Sequence, residues 1–154
     1  MPVEKPQMKI VAASFGVILA LSGPAVSCNA EKASYRHMED QSFSISFSKQ
    51  ANPKAWSDIQ ASLHMPSRKL DFEFTASNGY EVLSMVVLTQ GIEQENTIAV
   101  GFLNKDLKSQ GLPQSGSPAA EYLYAPELGP WLWYADLEPR EYIPPGLWKL
   151  DKCS

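Results

Sequence analysis

Two apolar runs flank Ser77-Asn78-Gly79, and no other stretch restricts the possible folds of this chain as tightly. Leu70, Phe72 and Phe74 alternate with Asp71, Glu73 and Thr75, which gives a strand one apolar face and one wet face. Asn and Gly tolerate the positive φ that a tight turn between antiparallel strands requires. Tyr80 to Thr89 then returns with Val82, Leu83, Met85, Val86, Val87 and Leu88, apolar on both faces, as suits a strand in the middle of a sheet. Two such runs around Asn-Gly make a hairpin and commit the chain to antiparallel pairing.

The same pattern recurs. Phe43, Ile45 and Phe47 alternate with serines, and Thr97 to Leu103, Glu121 to Tyr124, Trp131 to Leu137 and Leu147 to Leu150 read as further strands. Asn52-Pro53 offers a helix N-cap followed by proline, and Trp56, Ile59 and Leu63 follow at helical spacing, so one short helix is expected near residues 53–63. Ile59, Ala61, Leu63 and Met65 also alternate, which keeps a strand open there. The polar stretch from Asn104 to Pro118 reads as a long surface loop, of a length that is often functional. With 12 prolines and 9 glycines a helical bundle is excluded, because proline breaks the helical ladder. The expectation is an all-β or β-rich α+β fold, an antiparallel sandwich or small barrel of about seven strands with one short helix.

Residues 1–27 read as a secretory signal. Met8-Lys9 opens an uncharged apolar run, Ile10 to Ser22, too short to span a bilayer and broken by Gly23-Pro24. Ala25-Val26-Ser27 supplies small residues for cleavage before Cys28, leaving residues 28–154 as a single β-rich domain. That placement predicts an exported, periplasmic protein, with an outer-membrane lipoprotein as the alternative. Cys28 and Cys153 are the two cysteines of the chain. They form a disulfide tying the ends of the domain in an oxidising compartment, or else Cys28 is lipidated and provides the one route to a membrane. The net charge is -4, and because Glu4, Lys5 and Lys9 contribute +1, residues 28–154 carry -5. Such a surface repels phosphates, which argues against nucleic acid as a partner.

No Gly-x-Ser-x-Gly, His-Glu-x-x-His or phosphate-binding glycine loop occurs, and two separated histidines with two cysteines do not make a zinc site. No cofactor and no metal is therefore expected, and His37, in a polar stretch, reads as exposed. What remains is the segment from Glu121 to Tyr142, where carboxylates and aromatics mingle. Its candidate binding residues are Glu127, Trp131, Trp133, Tyr134, Asp136 and Glu138. As a strand, the segment puts Trp131 and Trp133 on one face, either packed in the core or presented to a ligand. Carboxylate pairs can cleave glycosidic bonds, but nothing in the pattern shows burial or a raised pKa here. The expectation is a non-catalytic binding protein, an inhibitor or immunity protein that neutralises a basic secreted lytic enzyme through the loop 104–118 or 125–130. The alternatives are a glycan or cell-envelope binding module using the aromatic stretch, and an envelope lipoprotein with an accessory role.

Overall fold

The computed structural model describes residues 28–53, 56–77, 82–89, 91–92 and 97–154. The expected signal and the Asn78-Gly79 turn lie outside the described residues. Among them the chain forms β1 (Ala33–His37), β2 (Ser44–Lys49), β3 (Ile59–His64), β4 (Lys69–Ala76), β5 (Leu83–Val87), β6 (Thr97–Ala99), β7 (Gly101–Leu103), β8 (Ser109–Gln110), β9 (Tyr122–Tyr124), helix α1 (Leu128–Tyr134) and β10 (Leu147–Cys153). All ten strands belong to one antiparallel sheet in the order β6-β5-β4-β3-β2-β1-β10-β9-β7-β8. The β-rich antiparallel fold is as the alternation predicts.

The sheet curls into a half-barrel, and one short run spans its ends. Thr97 to Leu103 reads as one strand, yet its first part pairs with β5 and its second part with β9. The switch occurs at Val100, whose N–H still donates to the Leu83 carbonyl. Gly101 follows, and a Cβ there would meet the Tyr124 carbonyl at 4.0 Å.

Alternation fills the inside. Tyr35, Ile45, Leu63 and Leu70 form one inward row across β1 to β4, and Phe47, Ala61, Phe72 and Val87 form another across β2 to β5. Phe47, Phe74 and Phe102 meet edge to face with centroids 5.2 to 6.2 Å apart and fill this part of the interior. Serines and carboxylates take the outer face, where Ser46 meets His64 at 2.8 Å and Ser62 donates to Asp71 at 2.6 Å. A single disulfide joins Cys28 and Cys153, their Cα atoms 5.6 Å apart.

Several elements differ from expectation: the described residues form ten strands where about seven were expected, since Ala33–His37 and Ser109–Gln110 are additional and Thr97 to Leu103 divides in two. The helix expected near 53–63 is not formed over the described part of that range, where β3 begins at Ile59 and pairs on both sides, with β2 and with β4. Strand spacing wins because Ile59, Ala61 and Leu63 are wholly buried between two neighbours, which outweighs a weak local helix signal. Among the described residues the one α-helix lies instead at 128–134, where a strand was expected. Leu128, Trp131 and Leu132 recur at i, i+3 and i+4 and are all buried, and Pro130 sits in the first turn, where its missing N–H costs nothing. The expected loop 104–118 is shorter than it reads: β7 and β8 pair across a turn in which Asn104 Oδ1 accepts from the N–H groups of Asp106 and Lys108.

Candidate functional site

Helix α1 decides which aromatics are available. Side chains two positions apart on a helix point about 200° apart, so Trp131 and Trp133 cannot share a face as a strand would have them do. Trp131 is 7% exposed and packs edge to face on Phe72 at 6.3 Å. Trp133 is 45% exposed and Tyr134 74%. Of the two tryptophans in this segment, one is core and one is surface.

Those exposed rings form one wall of a cleft of about 530 Å³. Residues 125–130 and α1 contribute Pro126, Gly129, Pro130, Trp133 and Tyr134 to it, and the segment 142–148 contributes Tyr142, Ile143, Pro144, Pro145 and Gly146, with Trp148 on its floor. Two glycines set the spacing. A Cβ on Gly129 would lie 2.5 Å from the Ile143 carbonyl oxygen, so the helix can approach the facing segment only as glycine. A Cβ on Gly146 would crowd His37 at 3.1 Å from Nε2. Proline fixes φ, and the four prolines of the lining hold both walls in shape without side-chain hydrogen bonds. The lining is overwhelmingly apolar, and no lysine or arginine belongs to it.

The carboxylates expected in the site do not line the cleft, and each is engaged by a donor. Glu127 Oε2 accepts from the Ala99 N–H at 3.3 Å, on the outer side of edge strand β6. Glu127 therefore anchors the start of α1 to the sheet and is not the tip of a protruding loop. Arg140 binds Asp136 at 2.9 Å and Glu138 at 3.5 Å, and its guanidinium lies 5.5 Å from the centroid of Trp133. Asp136 takes a positive φ of 51° directly after the helix, which turns the chain out of α1. Glu141 is engaged outside the cleft by Ser67 and Arg68.

His37 was expected to be exposed; it is 1% exposed, on β1, at the end of the inward row that continues through Trp148, Leu123 and Phe102. Its ring meets Trp148 edge to face at 4.8 Å. Nδ1 accepts from the N–H groups of Glu39 at 3.2 Å and Asp40 at 3.0 Å, which assigns the proton of the neutral ring to Nε2. Nε2 has no partner in hydrogen-bonding geometry, although the nearby Pro144 carbonyl favours the charged form, as do the Asp40 and Glu39 carboxylates. Burial outweighs them and holds the ring below its ordinary pKa of 6.5. Charging the ring would require a proton on Nδ1, opposite two N–H donors. The unfolded chain therefore takes up a proton that the folded chain resists. Stability should be fully present above about pH 6.5 and fall below it by up to about 1.4 kcal/mol per pH unit until the lowered folded pKa is reached. His37→Asn keeps an acceptor at the Nδ1 position and removes the titration, so denaturant unfolding measured from pH 7.5 to 5 should lose this acid limb. A limb of the same slope in the variant would assign it to other groups.

Compared with known protein families, with characterised proteins and with solved structures, the chain finds no match in any of the three.

Proposed function

We propose that this chain is a non-catalytic binding protein that docks a partner protein in the cleft between α1 and residues 142–148. One observation carries this reading: Trp133, Tyr134 and Tyr142 stand exposed on facing walls of a concave apolar cleft, although the same short segment buries Trp131 in the core. Exposed aromatic clusters of this kind are costly on a free surface and typical of interface hot spots. The disulfide is compatible with an oxidising compartment, and the charge of -5 over residues 28–154 suits a basic partner. An exported inhibitor or immunity protein acting on a basic secreted enzyme fits these features. Glycan binding is less favoured, because the cleft offers few hydrogen-bonding groups for sugar hydroxyls and the carboxylates beside it, Asp136 and Glu138, already hold Arg140.

The double variant Trp133→Ala, Tyr142→Ala separates binding from folding. Immobilised wild-type protein exposed to envelope and culture-supernatant extract should retain a basic protein at one-to-one stoichiometry. The variant should lose that retention while its unfolding free energy changes by less than about 1 kcal/mol, as expected for surface positions. Retention unchanged in a folded variant would place the docking surface elsewhere, and retention of wall polysaccharide without protein would favour the glycan module.

A further inference from the structure

We propose a second binding site, separate from the docking cleft: a cavity between the inner face of the sheet and residues 111–120 that takes a small neutral ligand of about the size of phenol, with an apolar body and an O–H or N–H donor. The cavity has a volume of about 150 Å³ and lies among Tyr35, Phe102, Gln110, Leu112, Pro113 and Ala120. It shares no lining residue with the cleft. Its roof is held across the sheet rather than down upon it. Ser57 Oγ donates to the Pro113 carbonyl, the Ser115 N–H to Asp58 Oδ1 at 2.8 Å, the Gly116 N–H to Glu31 Oε2 at 2.8 Å, and the Ala30 N–H to the Ser117 carbonyl at 2.8 Å. Proline fixes φ at positions 113 and 118 as well, so the pinned segment has little freedom to collapse and fill the space.

The lining decides the chemistry of the ligand. No charged side chain of the described residues belongs to it, and an ion entering such a site would give up its hydration without a partner. The hydroxyl protons of the lining are committed, Tyr35 donating to the Ala120 carbonyl at 3.0 Å and Ser117 to the Gln114 carbonyl at 2.6 Å. Gln110 Oε1, by contrast, is buried with no hydrogen-bond partner. A buried acceptor left unpaired costs free energy that an incoming donor recovers. Tyr35 and Phe102 supply aromatic rings against which an apolar body can pack, and apolar cavities of about 150 Å³ accept benzene. A single ring carrying a donor meets both requirements.

Phenol and toluene match in heavy atoms and differ at the donor. The purified protein is titrated with each while NMR follows the Ala120 and Leu112 methyl groups and the Gln110 side-chain amide. Phenol should shift these signals in a saturable way, with a dissociation constant at least several-fold lower than that of toluene. Gln110→Leu removes the acceptor and should bring the two probes to equal affinity; a phenol preference that survives it would overturn the role of Gln110. The comparison in the wild-type protein decides even where that variant does not fold. Toluene binding as tightly as phenol would overturn the donor requirement, shifts confined to Trp133 and Tyr134 would move the probe to the cleft, and no saturable shift by either probe would leave the cavity to water. Each of these results ends the proposal and leaves the docking of a partner in the cleft untouched.

Discussion

Replacing both cysteines, in the variant Cys28→Ser, Cys153→Ser, should lower the unfolding free energy by about 4 to 5 kcal/mol, the largest loss expected of any change discussed for this chain. The bridge joins residues 125 apart in sequence, and a cross-link of that span removes much of the freedom of the unfolded chain. The folded ends stay together without it. Cys28 accepts from the Ala119 N–H, Ala30 donates to Ser117, Ser154 donates to Lys32, and β1 pairs with β10 along its length. The cost therefore falls chiefly on the denatured state, and the variant should keep the native circular dichroism spectrum at neutral pH. Guanidinium unfolding of the oxidised protein, the reduced protein and the double-serine variant checks this, with the last two agreeing. A loss under about 1 kcal/mol would mean that the unfolded chain is already confined by other interactions.

Trp131→Ala should cost about 3 to 5 kcal/mol, as for large aromatics truncated inside a packed core. Trp133→Ala, two residues away, should cost less than about 1 kcal/mol, the worth of an exposed cation–π contact with Arg140. The contrast is a direct consequence of the helix: Trp131 packs on Phe72 on the face that also buries Leu128 and Leu132, while Trp133 is 45% exposed. Denaturant unfolding of the two single variants measures the difference, and equal costs would contradict the helical placement.

Much of the sheet is legible in the chain because its strands alternate cleanly. Ile45 and Phe47 on β2, and Leu70, Phe72 and Phe74 on β4, are buried at every second position, and the partner expected after Asn78-Gly79 pairs as a strand from Leu83 to Val87. Other elements carry their signal in ways that alternation hides. Strand β1 contains Ser34, Arg36 and His37, so its inward row of Ala33, Tyr35 and His37 looks polar, although the Tyr35 hydroxyl is satisfied by the Ala120 carbonyl and His37 Nδ1 by two backbone donors. Helix α1 is so short that its single apolar stripe, Leu128, Trp131 and Leu132, competes with the alternation of Trp131, Trp133 and Ala135. What decides between them is the buried surface over Phe72, which no local window contains.

The candidate site was legible in composition and illegible in geometry. Glu127, Trp131, Trp133, Tyr134, Asp136 and Glu138 do gather on and around one helix, yet they divide into a core residue, an anchor for β6, two residues that hold Arg140, and two exposed rings. Of the facing wall, Tyr142 belongs to the aromatic stretch read from the sequence, but Ile143 to Gly146 and Trp148 were not anticipated. Its signal was present in Tyr142-Ile143-Pro144-Pro145-Gly146, where a rigid proline pair presents aromatic and aliphatic side chains, but that run reads equally as a turn.

Amide hydrogen exchange on the protein alone and in complex with its captured basic partner tests the docking surface most directly. Protection on binding should concentrate in residues 131–146, the two walls of the cleft, and leave the β7–β8 turn from Asn104 to Lys108 unchanged. Protection confined to that turn, with exchange in 131–146 unaltered, would contradict the cleft as the docking site and return the function to the loop that the sequence first suggested.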